Sequence, residues 1–144
     1  KDPVELLDRY FNEIIELVRW GKFDALAHLT YPLRYIVGVE HIPIHLERWS
    51  DQIDTILKEL AQSGKALEIN TSGFRQPYGK ALPHLEIVRR FRELGGEYIT
   101  VGADAHCCGD VGANIDDGLK LALDAGFRYI ALFQQREPMP ISIE

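Results

Sequence analysis

The sequence has little cysteine, no long apolar run and no block of basic residues. Its only cysteines, Cys107 and Cys108, are adjacent, and neighbouring cysteines rarely bridge each other. A disulfide framework is therefore excluded, and a reducing, cytoplasmic setting is expected. No apolar stretch approaches the roughly 20 residues that a membrane-spanning helix requires, and no apolar signal segment follows Lys1, so neither a membrane role nor secretion is predicted.

The charge balance is acidic, with a formal net charge of −6. The 16 lysines and arginines form no stripe that would displace counterions from a nucleic acid, so nucleic-acid binding is not expected. A small anionic substrate remains compatible with this charge, because a few arginines can hold one phosphate group. With 46% hydrophobic and 26% charged residues over 144 positions, the composition is typical of one globular domain.

The hydrophobic period alternates between helical and strand-like along the chain. Asp2 is suited to cap the first helix and Pro3 to occupy its first position. The pattern predicts helices over 2–19, 47–62, 83–95 and 114–125, and strands over 23–29, 66–69, 98–102 and 128–133. Alternation of this kind is typical of parallel βαβ units, arranged either as an open layered sheet or as half of a (β/α)₈ barrel. Pro138 and Pro140 are expected to prevent any continuation of the last strand, because proline lacks a donor.

Polar residues follow each predicted strand, where ligands bind in parallel α/β folds. The first strand ends at His28, and the second reaches Glu68 and Asn70 before the segment 71–75. The third strand leads into 102–106, and the fourth into 134–136. We therefore expect one polar rim at the carboxyl ends of the strands, and a binding site at that rim.

Asp104 and His106 are the strongest candidates for metal ligands. They lie two residues apart just after a strand, so their side chains can point to one side of an extended segment. A carboxylate oxygen paired with an imidazole nitrogen suits Zn²⁺, Mn²⁺ or Fe²⁺. A strand-end turn with a surface histidine would produce the same triplet. His28, within an apolar run, is either a third ligand on the same rim or a core histidine bonded to a carbonyl.

Two arginines are candidates for phosphate binding. Arg75 follows a glycine-containing turn after the second strand, and its planar guanidinium could hold a phosphate through two bonds. Arg34, in the segment 31–35, is a second candidate. The alternative for both is an ordinary exposed loop arginine.

Three motifs, in order, resemble the later motifs of the PHP (polymerase and histidinol phosphatase) superfamily. They are Phe23–His28, Leu67–Arg75 and Gly102–His106, and the second is especially similar to the histidinol-phosphate phosphatase branch. The resemblance implies a distorted (β/α)₇ TIM-like barrel with up to three divalent transition metals (Zn, Mn or Fe). Residues 1–144 would form the C-terminal portion of this single domain, with four parallel strands. The family's early H-x-H motif is absent, so an N-terminal half of the barrel is an implied partner.

The same resemblance implies roles for individual residues. His28, Asp104 and His106 would be metal ligands, with Asp104 and His106 also catalytic. Substrate or phosphate contacts would come from the remaining candidates, Arg75, Arg34 and Asn70. The implied reaction is metal-dependent hydrolysis of a small phosphorylated substrate, namely L-histidinol phosphate to L-histidinol in histidine biosynthesis.

Three alternatives remain open at this point. A related PHP phosphoesterase would act on nucleotides, DNA ends or other small phosphoesters. A half-barrel without catalytic activity would serve as a binding or assembly module. An unrelated flavodoxin-like domain would have a glycine-rich phosphate loop in its first turn, and the sequence has none there.

Overall fold

A computed structural model describes residues 2–144, which form an α/β fold built on a parallel three-stranded sheet. Three short 3₁₀ helices interrupt the loops, at Leu46–Trp49, Thr71–Arg75 and Cys108–Asp110. The helices and strands are α1 (Pro3–Trp20), β1 (Ala25–Leu26), α2 (Leu33–Ile36), α3 (Ser50–Gln62), β2 (Ala66–Asn70), α4 (Leu85–Glu93), β3 (Ile99–Gly102), α5 (Ile115–Asp124), β4 (Tyr129–Gln134) and β5 (Glu137–Ser142).

Helix α1 begins and ends close to the residues that the sequence predicted. The Asp2 carboxylate accepts a hydrogen bond from the Val4 amide at 2.9 Å, and Pro3 occupies the first helical position. Gly21 ends the helix in the left-handed conformation, at φ 69°, which glycine adopts without steric strain. The capping prediction is therefore confirmed.

The central strand of the sheet is β2, which pairs in parallel with β1 on one side and with β3 on the other. Leu67 and Ile69 are fully buried in the hydrophobic core that the helices share. Because side chains alternate along a strand, Glu68 and Asn70 lie on the opposite face of β2. Asn70 at the end of β2 is in register with Gly102 at the end of β3.

The hydrophobic core lies between the sheet and the helices. Helix α1 packs against α3, α3 against α4, and α4 against α5. Full burial of one large apolar side chain stabilises the fold by about 1.5–3 kcal/mol. The largest side chains buried in this way are Trp49, Phe11, Phe91, Leu7, Leu29, Ile56, Leu57, Leu60, Leu67, Ile69, Leu82 and Ile99.

The first strand is much shorter than predicted. Residues 23–29 were expected to be extended, yet only Ala25 and Leu26 pair with β2. His28 has a φ of 33°, and its carbonyl accepts a hydrogen bond from the Tyr31 amide at 2.8 Å. The chain therefore turns away from the sheet, and His28 lies in this turn instead of inside a strand.

The prediction of a fourth strand in the parallel sheet is not confirmed. Strand β4 pairs antiparallel with β5, and within residues 2–144 this two-stranded sheet shares no ladder with β1–β2–β3. The predicted last strand does end before Pro138 and Pro140, but the expectation that these prolines cannot belong to a ladder is wrong, because they lie within β5. They lie two residues apart, so their nitrogens face the same edge, and Met139 between them can donate to β4.

The turn between β4 and β5 does not reach the predicted polar rim. The Arg136 guanidinium donates to both carboxylate oxygens of Asp24, at 3.0–3.3 Å, and Asp24 directly precedes β1. The segment 134–136 therefore lies toward the amino ends of the parallel strands, opposite the rim. Within residues 2–144, every helix is too short or too polar to cross a membrane.

Candidate metal and phosphate site

Three segments leave the carboxyl ends of β1, β2 and β3 and surround one open cavity of about 970 Å³. These are the connections that contain His28, Arg75 and Asp104. The position agrees with the general rule that ligands bind beyond the carboxyl ends of parallel strands. The residues that line the cavity are His28, Tyr31, Arg34, Tyr35, Ser72, Arg75, Gln76, Asp104, His106 and Asp110.

His28 combines an ordered backbone with a side-chain nitrogen that has no partner. Its amide donates to the Glu68 carboxylate at 3.1 Å, which holds the residue in its left-handed conformation. Its ring lies 4.7 Å from the ring of Tyr31, centroid to centroid. Within the described residues, the buried Nδ1 atom of His28 has no hydrogen-bond partner. Because buried polar atoms are nearly always bonded, this nitrogen is suited to bind a group that the chain itself does not supply.

Asp104 and His106 line the same cavity. Asp104 has a φ of 50°, so the chain turns sharply at the point where it leaves β3. The Nδ1 atom of His106 lies 2.9 Å from the carbonyl oxygen of Asp104 and 3.9 Å from its carboxylate. The His106 side chain is 85% exposed, so its ring extends into solvent at the mouth of the cavity.

Arg75 lies beside Asp104 and keeps one donor free. Its Nη2 atom donates to the Asp104 carbonyl at 3.3 Å, and its Nε atom lies 3.4 Å from the Asp110 carboxylate. Within residues 2–144, the buried Nη1 atom has no hydrogen-bond partner. A guanidinium that is anchored at two nitrogens and free at the third is suited to bind an anion such as phosphate.

Arg34 is held between two aromatic rings. Its guanidinium carbon lies 5.0 Å from the ring centre of Tyr31 and 4.9 Å from that of Tyr35, which are cation–π distances. The hydroxyl groups of the two tyrosines are 3.4 Å apart, and this hydrogen bond raises the pKa of Tyr31. The stacking fixes the position of a positive charge at the cavity wall.

Asn70, a predicted substrate contact, is only 1% exposed and does not line the cavity. Its Oδ1 atom accepts hydrogen bonds from the amide and the hydroxyl of Ser72, at 3.1 and 2.6 Å. Its Nδ2 atom donates to Glu68 at 3.1 Å. Since both ends of the amide are engaged, the structure favours a positioning role for Asn70, and Ser72 is the residue of this pair that lines the cavity.

The donor types around the cavity fit part of a metal site. Two imidazoles and a carboxylate are the ligand types that transition metals such as zinc accept, and the unpartnered Nδ1 of His28 is consistent with such a role. Within residues 2–144, however, no three histidine, cysteine or acidic side chains converge closely enough to enclose one ion. His28, Asp104 and His106 therefore share a cavity without forming a complete coordination sphere by themselves.

Sequence reasoning missed several residues that line the cavity. Tyr31 and Tyr35 flank Arg34 in the sequence, and their spacing of four residues was a usable signal for a shared contact. Asp110 gave no such signal, because its approach to Arg75 depends on how two separate loops fold toward each other.

Comparison with known proteins relates this geometry to one group of enzymes. No protein-family model matches the chain. It is 35% identical over 130 residues to a Thermotoga maritima protein named "Probable histidinol-phosphatase", covering 90% of this chain and 53% of that protein. A protein of the same name from Clostridium acetobutylicum is 30% identical, with 92% of this chain and 51% of the relative covered.

A solved structure matches as well. The crystal structure of histidinol phosphate phosphatase from Lactococcus lactis, in complex with zinc, L-histidinol and phosphate, superimposes with a TM-score of 0.77 at 28% identity. The match covers 92% of this chain and 50% of that structure. The chain thus spans about half the length of the curated relatives that it matches. These matches confirm the resemblance seen in the sequence: the chain is similar to part of a histidinol-phosphatase-type PHP protein.

Proposed function

We propose that this chain forms about half of a metal-dependent phosphatase that hydrolyses L-histidinol phosphate to L-histidinol. The observation that carries the proposal is the single cavity in which His28, Asp104 and His106 face Arg75 and Arg34. One cavity is therefore lined both by candidate metal ligands and by arginines that are candidates for anion binding. The relatives' names, and the zinc, histidinol and phosphate in the Lactococcus lactis structure, support the same reaction.

In this proposal each side chain has a separate task. His28, Asp104 and His106 would hold divalent metals, for which zinc is the best candidate and manganese or iron the alternatives. Metals held there would supply a Lewis acid for the phosphoryl oxygens and would lower the pKa of a nucleophilic water. The free Nη1 of Arg75 would donate to a phosphate oxygen, and Arg34 would add a second positive charge. His106, whose ring is exposed at the cavity mouth, would pass a proton to the leaving alkoxide oxygen only while its Nε2 atom holds no metal, because a metal-bound imidazole nitrogen carries no proton.

The fold supports the further proposal that residues 1–144 are one portion of a distorted (β/α)₇ barrel. Within residues 2–144, the outer edge of β1 has no partner strand. An apolar groove of about 360 Å³ adjoins this edge. Its lining includes Ile14, Leu17 and Trp20 of α1, and Trp20 is 58% exposed.

The groove and the open edge fit a strand and a helix from the other half of such a barrel. We propose that the polypeptide corresponding to the half of the relatives that this chain lacks occupies them. That half would add its ligands beside His28, which completes the coordination of up to three metals. Exposed apolar surface next to unpaired backbone groups is the usual character of a surface that pairs with another strand.

The direct test is Asp104→Asn in the intact natural protein, with Asp124→Asn as the matched control. Asp124 is exposed at the far end of α5. We expect Asp104→Asn to lower phosphate release from L-histidinol phosphate, and the bound metal, by at least about 100-fold, because ligand loss should exceed the 10–100-fold effect of outer-shell changes. Normal turnover by Asp104→Asn, still sensitive to a chelator, would contradict the ligand assignment.

A further inference from the structure

Glu68 contacts the three segments that surround the cavity. It lies in the middle of β2, and its Oε2 atom accepts hydrogen bonds from two sides. One comes from the backbone amide of His28, which follows β1, and the other from the side-chain Nδ2 atom of Asn70 at the end of β2. Both distances are 3.1 Å. Through Asn70 the connection extends to Ser72, whose amide and hydroxyl bind Asn70 Oδ1.

The carboxylate also reaches across to β3. A Cβ atom built on Gly102 would lie 2.6 Å from Glu68 Oε1, which is closer than any real Cβ contact. The carboxylate therefore occupies the space where any other residue at position 102 would place its side chain. Gly102 is two residues before Asp104, so Glu68 contacts the base of the third rim segment as well.

The two hydrogen bonds that the Glu68 carboxylate accepts both come from neutral donors. Within residues 2–144 no side-chain nitrogen of a lysine, an arginine or a histidine forms an ion pair with the Glu68 carboxylate within 4 Å. Hydrogen bonds to an ionised carboxylate are roughly twice as strong as those between neutral groups. A charged acceptor on the His28 amide is therefore well suited to hold that residue in its left-handed conformation, at φ 33°.

We propose that Glu68 is a positioning residue for the metal-binding face of His28. By fixing the His28 backbone, the carboxylate determines where the imidazole with the unpartnered Nδ1 lies relative to Asp104, which lines the same cavity. Glu68 itself does not line the cavity, so it acts through His28 and Asn70. This inference rests on the proposed function, because it assigns His28 to a metal.

The test compares Glu68→Ala and Glu68→Gln in the intact natural protein, with Glu16→Gln, on the exposed surface of α1, as the matched control. Two quantities are measured: zinc affinity, by competition with a chromophoric chelator, and hydrogen exchange of the His28 amide in the metal-free protein. We expect Glu68→Ala to weaken zinc binding by about 10–100-fold, the range seen when a partner of a metal ligand is removed. The His28 amide should exchange faster, because it loses its acceptor.

Glu68→Gln retains a side-chain oxygen that can accept from His28, so we expect it to restore part of the zinc affinity and part of the exchange protection. This variant keeps the size of the side chain, and so it remains informative if Glu68→Ala fails to fold. Glu16→Gln should match the unmodified protein in both measurements. A general loss of structure would speed exchange at every amide, whereas the proposal requires a change centred on His28.

The outcomes separate this inference from the function on which it rests. Unchanged His28 exchange in both Glu68 variants would overturn the positioning role, whatever the zinc affinity. Faster exchange with unchanged zinc affinity would overturn the link between Glu68 and metal binding and leave the phosphatase proposal intact. Failure of the unmodified intact protein to bind zinc would overturn the proposed function itself, and the exchange data would still report whether Glu68 orders His28.

Discussion

The two ends of the parallel sheet differ in whether their polar groups have hydrogen-bond partners. Beyond the carboxyl ends, His28 Nδ1 and Arg75 Nη1 are buried without partners among the described residues, and His28 and Asp104 have positive φ angles. Before the amino ends, Asp24 forms a two-oxygen ion pair with Arg136, and Lys65 donates to the carbonyl of Phe23 at 2.6 Å. Polar groups at the carboxyl end are thus left without partners among the described residues, whereas those at the amino end connect separate segments of the chain.

This difference between the two ends predicts which substitutions will change ligand binding and which will change the stability of the fold. Unsatisfied buried groups and left-handed residues destabilise a fold and persist where function requires them. Changes at the carboxyl end should therefore alter ligand binding while stability is nearly retained. Changes at the amino end should alter stability alone.

The largest effect is expected for His28→Ala. Removal of the imidazole should weaken zinc binding by more than about 100-fold, beyond the range for an outer-shell partner. The free energy of unfolding without metal should change by less than about 1 kcal/mol, because within residues 2–144 the ring makes no hydrogen bond and both residues carry a Cβ atom at the same φ. Isothermal titration with zinc and urea denaturation measure the two quantities.

The control for this variant is His45→Ala, at an exposed loop position away from the cavity. It should leave zinc binding unchanged. If His28→Ala instead unfolds the protein while zinc affinity per folded molecule stays normal, His28 belongs to the framework, and the contrast between the two ends fails at this residue.

A smaller effect is expected for Gly102→Ala. The new methyl group would meet the Glu68 carboxylate, which must move and release the His28 amide. We expect zinc affinity to fall by about 10-fold, the lower limit for an outer-shell change, because the carboxylate end of a flexible side chain can adjust in part. Gly109→Ala is the control, since a Cβ at Gly109 meets open space on the same rim. Equal affinities for the two variants would show that the close packing at Gly102 has no role in the site.

The smallest effect is expected at the other end, for Arg136→Gln. The hydrogen bonds from Arg136 lower the pKa of Asp24 below its unfolded value. A carboxylate with a depressed pKa contributes stability that is present above its unfolded pKa and is lost as the pH falls through the folded pKa. We therefore expect the unmodified protein to be slightly more stable than Arg136→Gln at neutral pH, and the two to converge in acid, below about pH 4.

Thermal unfolding between pH 2 and pH 7 measures this convergence, and Lys58→Gln, at an exposed position on α3, controls for the loss of one positive charge. Zinc affinity at neutral pH should be the same in all three proteins. A loss of zinc affinity in Arg136→Gln alone would show that the amino end of the sheet takes part in the site after all.

Local signals in the sequence predicted the parts of the structure that local interactions determine. Asp2, Pro3 and Gly21 set the ends of α1 through contacts within one or two turns, so the helix was found almost to the residue. The core strands β2 and β3 were also found, because their apolar runs are short and bounded by glycine and polar residues.

The errors arose where distant parts of the chain decide the structure. The antiparallel pairing of β4 depends on a second strand that contains two prolines, which a local rule excludes. The turn at His28 depends on an acceptor from Glu68, 40 residues away in the sequence. The cavity residues Asp104 and Arg75 were identifiable by type and position, but their contact through a carbonyl oxygen depends on the folded loops.

The two prolines of β5, which lie two residues apart, have a consequence for how copies of this protein can assemble. Pro138 and Pro140 leave the outer side of the hairpin without amide hydrogens at two successive positions, so an additional strand would find too few donors there. Leu132 and Met139 are exposed in the same hairpin, an arrangement that would otherwise favour fibre-like stacking of copies. The prolines thus disfavour the addition of a further strand at the outer edge of β5.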